Sequence, residues 1–526
     1  MTQPVDELVR AIAAPSYTPG RRDLAAVVAL LADTADDTTA AKAQTALLRA
    51  DGPAARAALL THLAQTTEGG AARLIAALGA IARRGDEPAR DHQLAVIADE
   101  GARPRARKAA AVALGKLGGD LARAALIAYW DRDLPVDHRR AVAEALGKVG
   151  GDDALARLKH DAGDDAELVR RRERAVLMAE RTATRDVVSE VALDAPLPTK
   201  VAVVVRCRAG LEELCADELR TAGVAIDAIE RGAVSVTLGK GQSLAQLWRA
   251  RTLFTAGLAV PLPTLTAQAI ARALTAPAVI ANLTTLTRGP IRWRLDFTGG
   301  GHRRGLVWDT ARQVAAAAPA LLNDPTATTW DVVVDEDGGR LELRPRRFTD
   351  PRFAWRVADV PAASHPTIAA ALARVAQITA SDVVWDPFVG SGAELIECAL
   401  AGKPRGLCGS DLDPRALEAT RANLSAAGLT AELRVGDALT LHPPDVTCIV
   451  TNPPLGRRVR GDVPALLEQF VGHAAAVLGR GGRLVWITPV PKRTERAALA
   501  AGFRLATRLE VDLGGFDATL ERWDRG

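Results

Sequence analysis

Four residues stand where they could do chemistry together. Asp386, Asp411, Asp437 and Asn452 each close a short run typical of a buried strand. Asp386 opens the turn Asp386-Pro387-Phe388-Val389-Gly390-Ser391-Gly392, and Asn452 opens Asn452-Pro453-Pro454-Leu455. Glycines after a strand let the backbone approach a ligand where a Cβ would clash. A carboxylate at Asp411 can accept from ribose hydroxyls, and one at Asp437 from an adenine amino group. Proline does not fit a central strand, so Pro453 and Pro454 fix a rigid turn with Asn452 aimed outward. Three acidic strand ends around a glycine turn suit an adenosine that carries a cationic sulfonium. They do not suit a triphosphate. The turn is neither a P-loop nor a complete Gly-x-Gly-x-x-Gly fingerprint.

The elements that must hold these residues form a regular α/β pattern over 360–526. Strands are expected at Asp382–Asp386, Gly406–Asp411, Ala431–Asp437, Val446–Asn452 and Gly482–Ile487, alternating with helices. That order predicts a parallel, doubly wound, Rossmann-like sheet with its ligand at the carboxyl ends of the strands.

Upstream lie two further regions. The first, over 1–190, is repetitive. Ala111-Val-Ala-Leu-Gly-Lys-Leu-Gly-Gly119 recurs as Ala143-Glu-Ala-Leu-Gly-Lys-Val-Gly-Gly151, with a looser copy at Leu74–Gly79, and the glycines Gly79, Gly115 and Gly147 stand 36 and 32 positions apart. This predicts an all-α solenoid of stacked helix pairs whose surface can hold a partner protein. The pattern resembles HEAT-like repeats. Arg170-Arg171-Arg172-Glu173-Arg174 reads as a solvated helix face, because Glu167, Glu173 and Glu180 interleave with the arginines.

The second region is α+β. Strands are expected at Lys200–Val205, Ala233–Leu238, Ile291–Phe297, Asp331–Val334 and Leu341–Arg344, and helices at Gly210–Leu219, Ser243–Leu253 and Thr310–Leu322. This suggests ferredoxin-like halves over 200–262 and 263–355. Alternate arginines on a strand share one face. Arg292, Arg294, Arg303, Arg304, Arg344, Arg346, Arg347, Arg352 and Arg356 therefore make a candidate phosphate-binding surface.

Asp-Pro-Phe-x-Gly-Ser-Gly together with Asn-Pro-Pro-x-Gly-Arg-Arg resembles the class I RNA guanine-N2 methyltransferases that carry THUMP domains. The resemblance implies that S-adenosyl-L-methionine is held by Asp386, Pro387, Phe388, Gly390, Ser391 and Gly392, by Asp411 with Leu412, and by Asp437 with Ala438. It implies that Asn452, Pro453, Pro454 and Leu455 form the catalytic motif, in which the Asn452 side-chain oxygen and the Pro453 carbonyl accept from the N–H groups of the target amine and turn its ring-delocalised lone pair toward the activated methyl group, so that positioning does most of the work. It further implies that 263–355, after the ferredoxin-like region at 200–262, is a THUMP-like RNA-binding region, that Arg457, Arg458, Arg344, Arg346 and Arg347 contact structured RNA, tRNA or rRNA, and that the product is N2-methylguanosine. The family usually has an aromatic residue where this chain has Leu455, which loses the π face that stacks on a base. Other readings are an adenine-N6 DNA methyltransferase, a protein-glutamine methyltransferase, or a non-catalytic repeat-bearing binding protein with a degenerate methyltransferase fold.

The composition sets the frame. In 526 residues, 67 basic against 63 acidic side chains give a formal charge of +4, so any basic surface must be local. Five scattered cysteines with no Cys-x-x-Cys pair predict no metal site and no disulfide framework, which suits a cytoplasmic protein. No apolar run reaches membrane-spanning length, so no membrane association is expected.

Overall fold

The computed structural model describes residues 5–14, 16–65, 70–160, 165–183, 187–301, 303–361, 363–455 and 462–526. The chain divides into two compact units, Met1–Val188 with Trp308–Ala327, and Ser189–Val307 with Thr328–Gly526.

In the first unit helices follow one another from Val5–Ala13 to Ala166–Ala183. The repeat glycines explain how they stack. A Cβ on Gly79 would lie 2.4 Å from the Ala113 Cβ, one on Gly115 2.7 Å from the Ala145 Cα, and one on Gly147 2.6 Å from the Ala175 Cα. Each copy thus sets its glycine against an alanine of the next, at a backbone distance that no larger residue permits. Gly118 and Gly119 at φ 70° and 91°, and Gly150 and Gly151 at φ 74° and 97°, turn the chain between helices. Asp120 and Asp152 then begin the next helices, where negative charge is favoured. In the Arg170–Arg174 run Arg171 pairs with Glu167 at 2.8 Å, and Arg172 Nε donates to the Leu158 carbonyl at 2.8 Å. The run is a solvated helix face that braces its neighbour.

The helix expected at Thr310–Leu322 is Arg304–Ala317, followed by extended Leu321–Asn323. Pro319 cannot continue a helix and disfavours helical geometry in the residue before it.

The second unit contains two sheets. In the first, strands Ile226–Glu230, Ala233–Leu238, Val201–Arg206, Thr255–Pro261, Arg340–Pro345, Trp330–Asp335 and Ile291–Phe297 lie side by side in that order. Thr255–Pro261 pairs antiparallel with both Val201–Arg206 and Arg340–Pro345, so the segments read as two ferredoxin-like halves share one continuous sheet. The helix expected at Ser243–Leu253 is a short 3₁₀ turn, Leu244–Arg249. Strand Thr255–Pro261, which begins just after it, was not expected, nor was Ile226–Glu230.

The second sheet runs Glu432–Val435, Gly406–Asp411, Val383–Asp386, Cys448–Thr451, Arg483–Thr488, Asp517–Arg525, Phe503–Asp512. Its first five strands are parallel, as expected. The last two form an antiparallel pair that closes the sheet beside Arg483–Thr488. From Val383–Asp386 the chain builds outward on one side through Gly406–Asp411 and Glu432–Val435. It then returns to build on the other side from Cys448–Thr451. Such a reversal opens a crevice at the carboxyl ends of the strands, where α/β sheets bind ligands. At the opposite end Arg483 clamps Asp382 at 2.7 Å and holds its carboxyl below the usual range, against the effect of burial.

Candidate active site

The reversal point lies between Asp386 and Thr451, at the ends of adjacent strands. Asp386 is fully buried. Its Oδ1 accepts from the Thr451 hydroxyl at 2.6 Å and from the Phe388 amide at 3.1 Å, which folds the chain sharply into the glycine turn. Its Oδ2 has no partner. Burial, with repulsion from Glu394 and Asp411, pushes this carboxyl well above the usual carboxylate range. A buried, half-satisfied acid is costly unless something cationic completes it.

The glycine turn is held from outside. Gly390 at φ 51° donates its amide to Asp411 Oδ2 at 3.1 Å, and its carbonyl accepts from the Thr420 hydroxyl at 2.9 Å. Gly392, at φ 81°, lies against Thr420, where a Cβ would come within 2.8 Å of Cγ2. Asn423 is buried one turn further along the helix Pro414–Ala426 and uses both ends of its amide. Its Oδ1 accepts from the Val357 and Ala358 amides, and its Nδ2 donates to the Ala358 and Ser391 carbonyls. This one side chain ties the segment that enters the domain to the glycine turn.

Asp411 Oδ1 accepts from the Asp413 amide at 3.0 Å, so the carboxylate read as a ribose acceptor also shapes the turn around it. Leu412 beside it is 71% exposed, an apolar side chain presented at a strand end. Asp437 Oδ1 accepts from the Leu439 amide at 2.9 Å, and Ala438 is buried behind it. Pro387, Ser391 and Ala438 are buried, while Phe388 packs edge-on against Phe470 at 5.3 Å.

Asn452 completes the crevice. Its Nδ2 donates to the Ser364 hydroxyl at 2.8 Å, whereas its Oδ1 is buried and without a partner. Ser364 in turn hydrogen-bonds the Glu394 carboxylate. Burial raises the Glu394 carboxyl to about 6, and its Oε1 is unpartnered. Asp386 Oδ2, Glu394 Oε1 and Asn452 Oδ1 are thus three unsatisfied acceptors along one linked path. Native proteins leave few such atoms without cause. Pro453 is buried, and Leu455 packs onto the hydrophobic core beneath it.

Several residues that matter here carry no motif. Ser364, Thr451 and Asn423 are common polar residues whose roles arise only in the folded chain. Glu394 stands two residues after Gly392, in the first turn of the helix Ala393–Gly402, where it is buried. Glu397 pairs with Arg251 through both carboxylate oxygens, at 2.5 and 2.7 Å, and anchors the preceding sheet region to the site.

The candidate RNA-binding arginines divide. Arg344 is held by the buried Glu342 at 2.6 Å, and Arg294 by Asp331 at 2.6 Å. Arg292 is buried, Arg352 is buried against Asp350, Arg303 pairs with Glu336, and Arg356 pairs with Asp359. Of these, Arg344, Arg294, Arg352, Arg303 and Arg356 each pair with an acid of this chain. Arg346 and Arg347 are exposed, with Arg346 3.1 Å from Asp331. Arg457 and Arg458 lie outside the described residues. No cluster of potential metal ligands occurs among the described residues, and none of the described helices is long and apolar enough to cross a membrane.

Comparison with known proteins agrees with this geometry. Residues 354–518 match the model of a family described as RMKL-like, methyltransferase domain, and residues 93–178 match HEAT repeats. The chain is 30% identical over 190 residues to the tRNA (guanine(10)-N2)-dimethyltransferase of Methanothermobacter thermautotrophicus, covering 35% of this chain and 54% of that protein. It is 30% identical over 129 residues to a probable tRNA (guanine(10)-N2)-dimethyltransferase of Methanothermococcus thermolithotrophicus, covering 23% of this chain and 77% of that protein. The crystal structure of TrmN from Thermus thermophilus superposes with a TM-score of 0.51 at 23% identity, covering 62% of this chain and all of that one, which establishes a common fold. The chain spans about half the length of most of the curated relatives it matches.

Proposed function

Because the chain belongs to the class I methyltransferase family that includes the tRNA guanine-N2 methyltransferases, we propose that it transfers a methyl group from S-adenosylmethionine to the exocyclic N2 of a guanine in tRNA or rRNA. One observation carries the reading. Asn452 presents an unpartnered acceptor at the end of the strand next to the one that ends in Asp386, whose buried Oδ2 is also without a partner.

The residues fit the cofactor. Asp386 lacks a cationic partner, a Cβ at Gly390 would have no neighbour nearer than 3.9 Å, and Asp411 and Asp437 each keep acceptor capacity beyond their backbone contacts. In this reading Asp386 and the Gly390–Gly392 turn hold the amino acid end, Asp411 with Leu412 the ribose, and Asp437 with Ala438 the adenine. When bound, the cofactor supplies an electrophilic methyl group on a positively charged sulfur.

The chain's own residues do the rest. Asn452 Oδ1 and the Pro453 carbonyl accept from the two N–H groups of the guanine amine and orient its lone pair. The rigid Pro453-Pro454 turn keeps those acceptors in place, so the entropy of alignment is spent at folding. No strong base is required before transfer, because methylation makes the amine acidic and the proton can then leave.

The exposed Arg346 and Arg347 of the preceding sheet region, read as THUMP-like, are the proposed RNA contacts, along with Arg457 and Arg458. The repeat unit is proposed to hold a protein partner. A cytoplasmic location is proposed from the five free, buried cysteines.

The test is mass spectrometry of nucleosides from total RNA with and without the gene. Loss of N2-methylguanosine supports the proposal. Unchanged RNA with lost N6-methyladenine in DNA, or with lost glutamine methylation, replaces it.

A further inference from the structure

The fold presents an aromatic ring in water close to Asn452. Phe254 is 53% exposed, and among the described residues it is the one aromatic side chain left so open. A ring of that size normally buries its faces, and exposed large aromatics mark binding surfaces. Phe254 does not sit on a loose loop. Its amide donates to the Arg206 carbonyl at 2.8 Å, the carbonyl of Leu253 accepts from Arg352 Nη1 at 2.6 Å, and strand Thr255–Pro261 begins directly after it.

Two side chains flank the ring. The His365 imidazole lies 5.5 Å away, tilted by 41°, and the Arg208 guanidinium stands 5.9 Å from the ring centroid. Among the described residues Arg208 makes no ion pair; its Nη1 donates to the Asp512 backbone carbonyl at 3.3 Å, and its Nε has no hydrogen-bond partner. His365 stays neutral, because burial and the nearby Arg208, Arg356 and Arg352 lower it to about 4. His365 also follows Ser364, whose hydroxyl holds Asn452. The chain of contacts therefore runs Phe254, His365, Ser364, Asn452, from open ring to amine acceptor. Leu455, at the strand end itself, offers no π face.

We propose that Phe254, flanked by Arg208 and His365, is a stacking platform for an unpaired nucleobase of the RNA that enters the Asn452 site. This rests on the RNA methyltransferase reading. A phenyl face stacks on any base, and a guanidinium without a carboxylate partner beside it suits the adjoining phosphate. The cation favours nucleic acid over an apolar peptide as the occupant. The platform supplies from the neighbouring sheet the π face that Leu455 lacks.

The experiment uses the full chain and its variants Phe254→Ala, Phe254→Leu and Phe254→Tyr. Leucine keeps an apolar side chain of similar reach and removes the ring, which separates stacking from folding. Each protein is titrated into a short single-stranded RNA carrying 2-aminopurine and assayed on a transcribed tRNA pool, with S-adenosylmethionine affinity measured by calorimetry. Alanine and leucine are expected to weaken RNA binding and raise KM about 5- to 150-fold, as loss of one stacked base does. They also reduce 2-aminopurine quenching, tyrosine restores both, and cofactor affinity stays unchanged. Alanine and leucine variants that bind and quench as the wild type does overturn the platform. Variants that keep full RNA binding but lose a protein partner overturn it too, in favour of a protein docking face. A wild-type protein that binds S-adenosylmethionine and methylates no RNA overturns the functional reading instead, and the two failures are distinguishable.

Discussion

The side-chain amide of Asn452 donates to the hydroxyl of Ser364 at 2.8 Å, and its oxygen is thereby turned away from Ser364, buried and unpaired. The direction of that hydrogen bond is the central geometric fact of the site. An asparagine rotated by half a turn about its last bond would offer a donor where the amine needs an acceptor.

The first prediction concerns Asn452 itself. Asn452→Ala should lower kcat by about 100-fold or more, the scale on which misplacing a reactant acts, while S-adenosylmethionine affinity measured by calorimetry stays within about twofold. Parallel loss of both would show that the residue is structural.

Ser364→Ala should leave the amide free to rotate. Losing one net hydrogen bond is worth about 0.5–1.5 kcal/mol, so kcat should drop by roughly 2- to 12-fold with little change in KM for RNA. Ser364→Thr, which keeps the hydroxyl, should recover most of the rate. A threonine variant as slow as the alanine one would assign the effect to packing.

Glu394 makes the relay sensitive to pH. Its carboxyl is raised to about 6 by burial, so it is charged above that pH and protonated below. A charged carboxylate only accepts, which obliges Ser364 to donate to it and to accept from Asn452. Protonation removes that obligation and lets Ser364 donate to Asn452 Oδ1. Methyl transfer at saturating substrates should therefore fall as pH drops through about 6, and Glu394→Gln should be slower and flat over the same range. Cofactor binding near pH 5.5 should release protons, because a cation beside Asp386 and Glu394 favours their charged forms. Calorimetry in buffers of different ionisation enthalpy measures this, and proton uptake would contradict the assignment.

Asp411→Ala removes a ribose acceptor and the anchor of the Gly390 amide at once. Hydrogen bonds to charged groups contribute about 1.5–3 kcal/mol, so cofactor affinity should weaken by roughly 10- to 150-fold before kcat changes. Unaltered affinity would remove Asp411 from the cofactor site.

Two helical glycines should respond with opposite signs. Nothing lies within 4 Å of a Cβ at Gly472, so Gly472→Ala should stabilise by about 0.5–1 kcal/mol. At Gly115 the same change meets Ala145 at 2.7 Å and should destabilise by about 1–3 kcal/mol. Thermal melts of the full chain compare them.

The sequence made the parallel sheet readable because its central strands are apolar and end on residues with evident chemistry; the edge strand Glu432–Val435 is largely exposed and stops two residues before Asp437. Asp386, Asp411 and Asn452 all lie at the strand ends where they were expected. The final antiparallel pair was missed although Phe503–Asp512 alternates in exposure, since no motif drew attention to it. The middle sheet was read in two pieces because the pairing of Thr255–Pro261 with Arg340–Pro345 joins strands some eighty residues apart in sequence. The arginines misled for a related reason. Arg344 and Arg294 alternate as a phosphate surface would, but their acids, Glu342 and Asp331, reach them only through cross-strand and same-strand geometry. Ser364 and Asn423 were illegible because a hydroxyl or an amide acquires direction only from what surrounds it.

The glycine-on-alanine contacts of Gly79, Gly115 and Gly147 recur in the same phase from one copy to the next. A ladder whose rungs are interchangeable can gain or lose a rung without altering its pitch. The array can therefore lengthen by duplication of whole copies, each new glycine meeting its alanine as the last one did.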